Sequence, residues 1–576
     1  MIRRLDPRRE LRERRVDRLV LVALLVGAAS YCALVAWLAA EKPLGNDELF
    51  TLYFSRLPGF DDVWRELETG VEQTPPFFYL VTRASQRMFG DNDVALRLPE
   101  LGAVLLAAGC MLAVVARRST LVHGTIAALL LLATQAGFYA YEARPYALVL
   151  GFVALCFLLW QLRLDGGGPL VVTGLALAAT AAVATHYYAV LALLPFVVAE
   201  ATRTVGRRRL DAAVAGAFAV SLVPLLVAAP LIEAARAYSG SFWTEYSWRS
   251  PVEFNGWLFT RSAIEAVPLL ELSVLVWLAC GLALHTLLLS ELQPGERRRV
   301  VTRVSLALAA VALVGLVAFR VAGSDVSVAT VLVALIGLAA VVAVGPLQRR
   351  SLGTSRRRPS SSALPEIVAA SAFLAVPLVA VVLAEITTGA YTPRYALPAV
   401  LGVVVLLPLA LHRLEGGRIV ASLVVAVLLV VVVGRSYWNQ ADDIRTATCT
   451  QADLLGSLQR IVDGTDLAIA VADPHDFFVL SHYAPPELRA RVLHLSDQRA
   501  ALQYTGSAST EDGLVVLSRF APLDVRRFGP YVESNERFLL LLAVRQGNWV
   551  VRALERDGRA LEPYPNADGL LLYEVR

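Results

Sequence analysis

Lysine is almost missing from this chain: of its 53 basic residues 52 are arginine, and Lys42 is the only lysine. The bias can reflect genome composition, so no function follows from it. Cysteine is sparse. Cys32, Cys110, Cys156 and Cys280 lie inside apolar runs and Cys449 stands alone in a polar region. That scatter excludes a disulfide framework and any zinc-ligand spacing. Charge is scarce too, at 18% of residues against about 25% in an ordinary soluble domain, while 56% are hydrophobic against about 45–50%. Disorder, a collagen-like repeat and a small disulfide scaffold are excluded. No Walker motif and no Rossmann glycine fingerprint is present, so no nucleotide site is expected.

What is there is apolar length. With a mean hydropathy of +0.58 the chain reads as a polytopic α-helical membrane protein. About 13 spans are expected, near 19–40, 98–116, 121–140, 146–162, 170–185, 187–202, 212–232, 269–289, 300–319, 326–347, 364–386, 396–411 and 418–434. The first run is long enough for a bilayer and lacks the small-residue cleavage site of a signal peptide, so it reads as a retained span.

Arginine sets the orientation. Clusters precede the first span and fill alternate loops at 117–118, 207–209, 297–299, 349–350 and 356–358. An N-terminus inside puts every cluster on the cytoplasmic face, and an odd span count puts the C-terminal region outside. The small net charge of +4 hides this asymmetry. Residues 1–18 carry +4, whereas the acidic loop 41–97 and the region 435–576 each carry −4. The expected setting is the plasma membrane (bacterial inner membrane), multi-pass. The basic clusters serve topology and contact with anionic membrane lipid, and no nucleic acid is called for.

Two domains are expected. Residues 1–435 form the membrane domain, with loop 41–97 as its long outer feature. Within it Leu57–Leu67 and Pro76–Met88 have the mixed faces of short interfacial helices. An aromatic outer loop, 233–268, reads either as an interfacial belt or as a lid. Residues 436–576 form a soluble α/β domain, with strands expected at 466–472, 491–495, 513–517, 538–544, 549–553 and 570–575.

Charges avoid the middles of the spans and gather at outer ends, where intramembrane charge tends to be functional. The first group is Gly45-Asn46-Asp47-Glu48, then Gln73-Thr74-Pro75-Pro76, then Gly90 and Ala95-Leu96-Arg97-Leu98-Pro99. Next come Tyr141-Glu142-Ala143-Arg144-Pro145-Tyr146, Thr185-His186-Tyr187-Tyr188 and Thr392-Pro393-Arg394-Tyr395. Each group also has a plain reading: solvated acids, an interfacial Arg–Glu pair, a satisfied helix-end histidine, a topology anchor. Asp473, His475, Asp476 and His482 could ligate a metal, but their spacing matches no strong motif and a solvated loop is the better reading.

The ordered set over 45–99 resembles the GT-C fold glycosyltransferases that use polyprenyl-phosphate sugars. It is most similar to glycosyltransferase family 39 (GT39), the protein O-mannosyltransferase and lipid A aminoarabinose-transferase type, in its bacterial form. That resemblance implies a GT-C domain and inverting transfer of a hexosyl or pentosyl group to an acceptor hydroxyl at the extracytoplasmic face. Asp47 falls on the family's catalytic acidic position, with Glu48 as support or alternative base. Arg144 and Arg394 become candidates for donor-phosphate binding. Glu142 is expected to hold Arg144, and Tyr146, His186, Tyr187, Tyr395, Pro75 and Pro76 to shape the pocket. Thr74 stands where some relatives have Lys or His, so phosphate charge must be met elsewhere. The implied partners are a polyprenyl-phosphate-linked sugar, membrane lipid, and a glycan, lipid or protein acceptor. No cofactor is expected, with a divalent metal left open. A membrane transporter or lipid flippase, and a non-catalytic cell-envelope assembly protein, are the competing readings.

Overall fold

The apolar runs fold as helices. The computed structural model describes residues 7–236, 249–260, 269–291, 363–386, 391–415, 419–543, 548–565, 567 and 569–576, with side chains from residue 18 onward. Among the described residues seven helices are long and apolar enough to cross a membrane, or up to ten if each of three bent pairs is one span. The bent pairs are Leu121–Leu132 with Gln135–Tyr141, Ala212–Val227 with Ala229–Arg236, and Leu364–Phe373 with Val376–Ile386. Two of the bends precede a helix whose second residue is proline, Pro230 or Pro377, where a missing N–H is tolerated. The expected span at 170–185 is the shorter helix Pro169–Thr185. The expected spans 300–319 and 326–347, the arginine clusters after residue 291 and much of the aromatic loop lie outside the described residues.

Loop 41–97 is largely helical. It holds the two expected short helices, Phe60–Leu67 and Pro76–Phe89, and a further one, Asn46–Arg56. The next span, Asp93–Ala116, starts on an Asn92 cap whose side chain accepts from Ala95 N at 2.9 Å. Pro99 lies inside this helix and cannot donate to the Ala95 carbonyl. Ser85 Oγ donates to that carbonyl instead, at 2.6 Å. The exception to the helical rule is thus repaired by the neighbouring helix.

The last membrane helix, Val420–Gly464, runs 45 residues without a break, through the point where hydropathy falls. At about 1.5 Å per residue it is about twice as long as a hydrocarbon core is thick. Its far half leads into a six-stranded sheet of β1 (Ile469–Val471), β2 (Val492–Ser496), β3 (Val525–Arg527), β4 (Phe538–Leu542), β5 (Leu561–Pro563) and β6 (Leu571–Val575). The order is β3-β2-β1-β4-β6-β5. The first four are parallel neighbours, and β6 and β5 add antiparallel. Side chains alternate between two cores. Ile469, Val471, Leu539 and Leu541 join the main core, and Ala470, Leu493 and Leu540 face a second one.

Two expected strands are helices. Residues 513–517 fall in Ser509–Leu517 and 549–553 in Trp549–Arg556. A short apolar run does not distinguish the two forms. Buried Trp549, Val550, Val551, Ala553 and Leu554 occupy one helical face, and Asn548 caps its start by accepting from Val550 N at 2.9 Å. The short strands β3 and β5 carry Arg526, Arg527, Glu562 and Pro563, which gave no strand signal.

The soluble domain rests on loop 41–97. Its helix Pro474–Tyr483 lies against Asn46–Arg56: Phe478 stacks on Tyr53 and meets Phe50 edge-on. Tyr53 Oη bonds His482 Nδ1 at 3.0 Å, and Leu44 N donates to Tyr483 Oη at 2.7 Å. Gly513 allows the approach, because a Cβ there would sit 2.9 Å from the Phe50 ring.

Candidate active site

The site begins where the first span ends. Asn46–Arg56 opens at Gly45, so Asp47 and Glu48 are its second and third residues. Carboxylates are favoured there because the first N–H groups of a helix are unmet. Glu48 uses the position directly, accepting from Gly45 N at 3.2 Å.

Glu48 is fully buried and surrounded by donors. Arg97 forks onto it, with Nε to Oε1 and Nη2 to Oε2 each at 2.7 Å. Ala143 N donates to Oε1 at 2.9 Å, and Lys42 Nζ pairs with Oε2. Arg97, itself 1% exposed, also donates to Ala39 O at 2.6 Å and Lys42 O at 2.8 Å. Those carbonyls belong to the open end of the first span, where helical partners run out. One ion pair therefore ties the end of the first span, the start of the next helix, the 93–116 helix and the turn at 142–144. Burial alone would raise the Glu48 carboxyl, but Lys42 and Arg97 outweigh it and hold it down to about 2. Glu48 is spent on this clamp and is a poor candidate for a base.

Asp47 points elsewhere. Its side chain is 43% exposed, and Oδ2 lies 2.6 Å from Arg394 Nη1 and 3.8 Å from Arg144 Nε. Among the described residues its Oδ1 has no hydrogen-bond partner. Burial would raise this carboxyl, yet the two guanidiniums hold it below the usual carboxylate range. Arg144 Nη1 also donates to Asp47 O at 3.1 Å and lies 3.8 Å from Glu72 Oε2.

The expected Glu142–Arg144 pairing is not what holds Arg144. Among the described residues Glu142 pairs with Lys42 at 2.7 Å, and Arg144 is held by Asp47 and Glu72. Burial and the neighbouring Glu48 raise the Glu142 carboxyl, with Lys42 opposing them. Glu72 itself is fixed by accepting from Gln73 N at 3.1 Å and Thr74 N at 3.0 Å.

Beside Arg394 lies a small recess, of about 10 Å³, lined by Tyr146, Val149, His186, Ala189, Arg394, Tyr395 and Pro398. The Arg394 guanidinium sits 5.4 Å over the Tyr146 ring. His186 packs 5.1 Å from the Tyr395 ring and 5.6 Å from Tyr146. Its Nδ1 accepts from Tyr188 N at 3.2 Å, which leaves the ring proton on Nε2. Burial, then Arg144 and Arg394, lowers this imidazole to about 3, so it is neutral and donates from Nε2.

The structure thus gathers Asp47, Arg144, Tyr146, His186, Arg394 and Tyr395. Tyr187 does not line the recess; its neighbour Tyr188 packs on Tyr395 at 4.8 Å. Pro75 and Pro76 do not line it either. They cap and open the helix Pro76–Phe89, and so fix the end of the Glu72–Thr74 turn. Lys42, Glu72 and Tyr188 were passed over as site residues, and Arg97 was read only as part of a motif. Lys42 had a signal, being the one lysine in the chain. Glu72, two residues before Thr74, had none.

Asp473, His475, Asp476 and His482 do not converge. They lie on or beside a helix that Asp473 caps by accepting from His475 N and Asp476 N, while His482 bonds Tyr53. Among the described residues no cluster of three or more His, Cys, Asp or Glu side chains could hold a metal ion.

No protein-family model matches the chain, and no curated protein matches it. Among solved structures it is similar to ArnT from Cupriavidus metallidurans in the apo state, at 13% identity over 96% of this chain and 98% of that one, with a TM-score of 0.40. It is also similar to ArnT from the same organism bound to undecaprenyl phosphate, at 14% identity over 96% and 97%, again with a TM-score of 0.40. At a TM-score below 0.5 the likeness carries no weight of its own.

Proposed function

We propose that this chain is an integral-membrane glycosyltransferase of the GT-C fold, GT39-like, that moves a sugar from a polyprenyl-phosphate donor to an acceptor hydroxyl. The observation that carries the reading is the meeting, in one place, of a solvent-reachable carboxylate and two arginines from distant segments. Asp47 and Arg144 meet Arg394 at the edge of a recess lined by neutral His186, Tyr146 and Tyr395. In the proposed site the arginines hold the phosphate oxygens, supplying the positive charge that Thr74 does not. Guanidinium forks suit phosphate oxygens. Asp47 takes the proton of the acceptor hydroxyl as its oxygen attacks the anomeric carbon. The bond from that carbon to the phosphate oxygen breaks, and its electron pair leaves on the polyprenyl phosphate. One displacement inverts the carbon. The leaving group is already good, so the step asks for no strong acid. In this reading His186 Nε2–H donates to a sugar hydroxyl or a phosphate oxygen.

The arginine pattern supports an inside N-terminus and an extracytoplasmic soluble domain, which puts the site on the face where a lipid carrier delivers sugar. The donor sugar is a hexose or pentose and the acceptor a glycan, lipid or protein hydroxyl. The test is transfer by purified protein from a panel of polyprenyl-phosphate sugars, with products read by mass spectrometry. Wild type should transfer from at least one donor and Asp47→Asn from none. Normal transfer by a folded Asp47→Asn protein would end the reading.

A further inference from the structure

We propose that the Asp47 carboxylate is the resting occupant of the donor-phosphate site, and that the donor frees the base by taking Arg394 from it. This inference rests on the glycosyltransferase reading and adds the order in which its parts engage. One carboxylate oxygen lies between the two guanidiniums, 2.6 Å from Arg394 Nη1 and 3.8 Å from Arg144 Nε, where a phosphate oxygen would lie. Arg144 Nε is buried and has no hydrogen-bond partner among the described residues. A buried charged donor left unmet is costly, and Asp47 Oδ2, 3.8 Å away, is too far to meet it. The arrangement at Arg144 is therefore incomplete without a further acceptor.

Charge points the same way. Asp47 and Glu72 balance Arg144 and Arg394, so a donor phosphate adds a negative charge to a balanced group. Phosphate and carboxylate cannot both keep the Arg394 fork without like-charge repulsion at contact distance. A phosphodiester offers two oxygens in the planar geometry that guanidinium prefers. The recess beside Arg394 has room for about one water molecule, far below the roughly 300 Å³ at which ligand pockets begin. Arg394 must therefore swing for the donor to enter, and that swing breaks its bond to Asp47. A carboxylate held by two cations is a weak base, and one that has lost the nearer cation is a stronger one. Donor binding thus arms the base only when there is a sugar to transfer. After transfer the acceptor's proton sits on Asp47, and neutral Asp47 no longer competes with the departing phosphate.

The experiment measures binding of undecaprenyl phosphate to the full chain in nanodiscs, for wild type, Asp47→Asn, Asp47→Glu and Arg394→Gln. Asp47→Asn should bind more tightly than wild type by about tenfold, the scale of one charge-assisted hydrogen bond. Asp47→Glu keeps the competing charge and should stay near wild type, and Arg394→Gln should bind at least about tenfold more weakly. Equal or weaker binding by Asp47→Asn, with wild type binding saturably, overturns the competition and leaves the glycosyltransferase reading standing. No saturable binding by either protein overturns both.

Discussion

Neighbouring carboxylates should fail in opposite ways. Glu48 is fully buried and accepts from Arg97, Lys42, Gly45 N and Ala143 N. Glu48→Gln keeps the shape but removes the charge, and it leaves Arg97, 1% exposed, facing an amide. Removing one partner of a buried pair costs about 3–5 kcal/mol. Arg97 also closes the first span through Ala39 O and Lys42 O, so the loss spreads into the junction of four segments. Asp47→Asn loses a pair whose acid is 43% exposed, worth about 1 kcal/mol at most after solvent screening. Thermal unfolding in one detergent, followed by size-exclusion chromatography, should show Glu48→Gln melting well below wild type with reduced yield. Asp47→Asn should melt with wild type and transfer no sugar. A Glu48→Gln protein that melts like wild type but transfers nothing would refute the division of labour and return Glu48 to the chemistry.

Three further outcomes follow from separate parts of the molecule. Lys42 bridges Glu48 and Glu142, and an arginine there would bring a broad fork to a place where Arg97 already holds Glu48, so Lys42→Arg should lower transfer; an amine-reactive reagent should label this one lysine and the N-terminus alone, and less with donor bound, which peptide mass spectrometry reads. In the soluble domain buried His494 donates to Val471 O and Glu511 at 2.8 Å each. Burial would lower it, but Glu511 and that carbonyl raise it above its ordinary value, so its contribution is full below about 6.5 and fades as pH rises through the folded value; Glu511→Gln should flatten that part of the melting-temperature profile against pH. Gly256 lets helix Ser250–Trp257 meet Leu269–Glu291, and Gly256→Ala would put a Cβ 2.1 Å from Leu269 O, which should lower the melting transition by an overpacking cost of about 1–3 kcal/mol.

The sequence was most legible where one physical cause dominates. Apolar length located the membrane helices, because a span must satisfy its own backbone within the bilayer. The expected spans at 121–140 and 364–386 were right in extent, but their bends were not foreseen. The strand at 538–544 was readable because an apolar run buried on both faces of a sheet looks the same at every residue. Trp549–Arg556 was misread because its five buried residues are nearly contiguous. At the site, residue identity marked Asp47, Arg144, His186 and Arg394, which the chain then gathers from four separate segments. Partner choice was not legible. Nothing in the spacing of Glu142 and Arg144 says that the glutamate goes to Lys42 and the arginine to Asp47 and Glu72, since both choices are settled by side chains about 70 to 100 residues away along the chain.

The adjacency of Asp47 and Glu48 makes this division of labour geometric. Successive helical residues project about 100° apart, so two neighbouring acids at a helix start cannot face the same partner. Once Glu48 is turned inward by Arg97, Asp47 is turned toward the segments that carry Arg144 and Arg394. The clamp also reaches the other side of the site. Ala143 N donates to Glu48, and Thr51 Oγ1, one turn further along the same helix, donates to Ala143 O at 2.8 Å. The turn that carries Arg144 is therefore pinned to the helix that carries Asp47, and Arg144 keeps its distance from the carboxylate. Arg394 comes from a segment outside that pinning, at the start of another span. Of the two arginines on Asp47, Arg394, from the segment outside the clamp, makes the short bond.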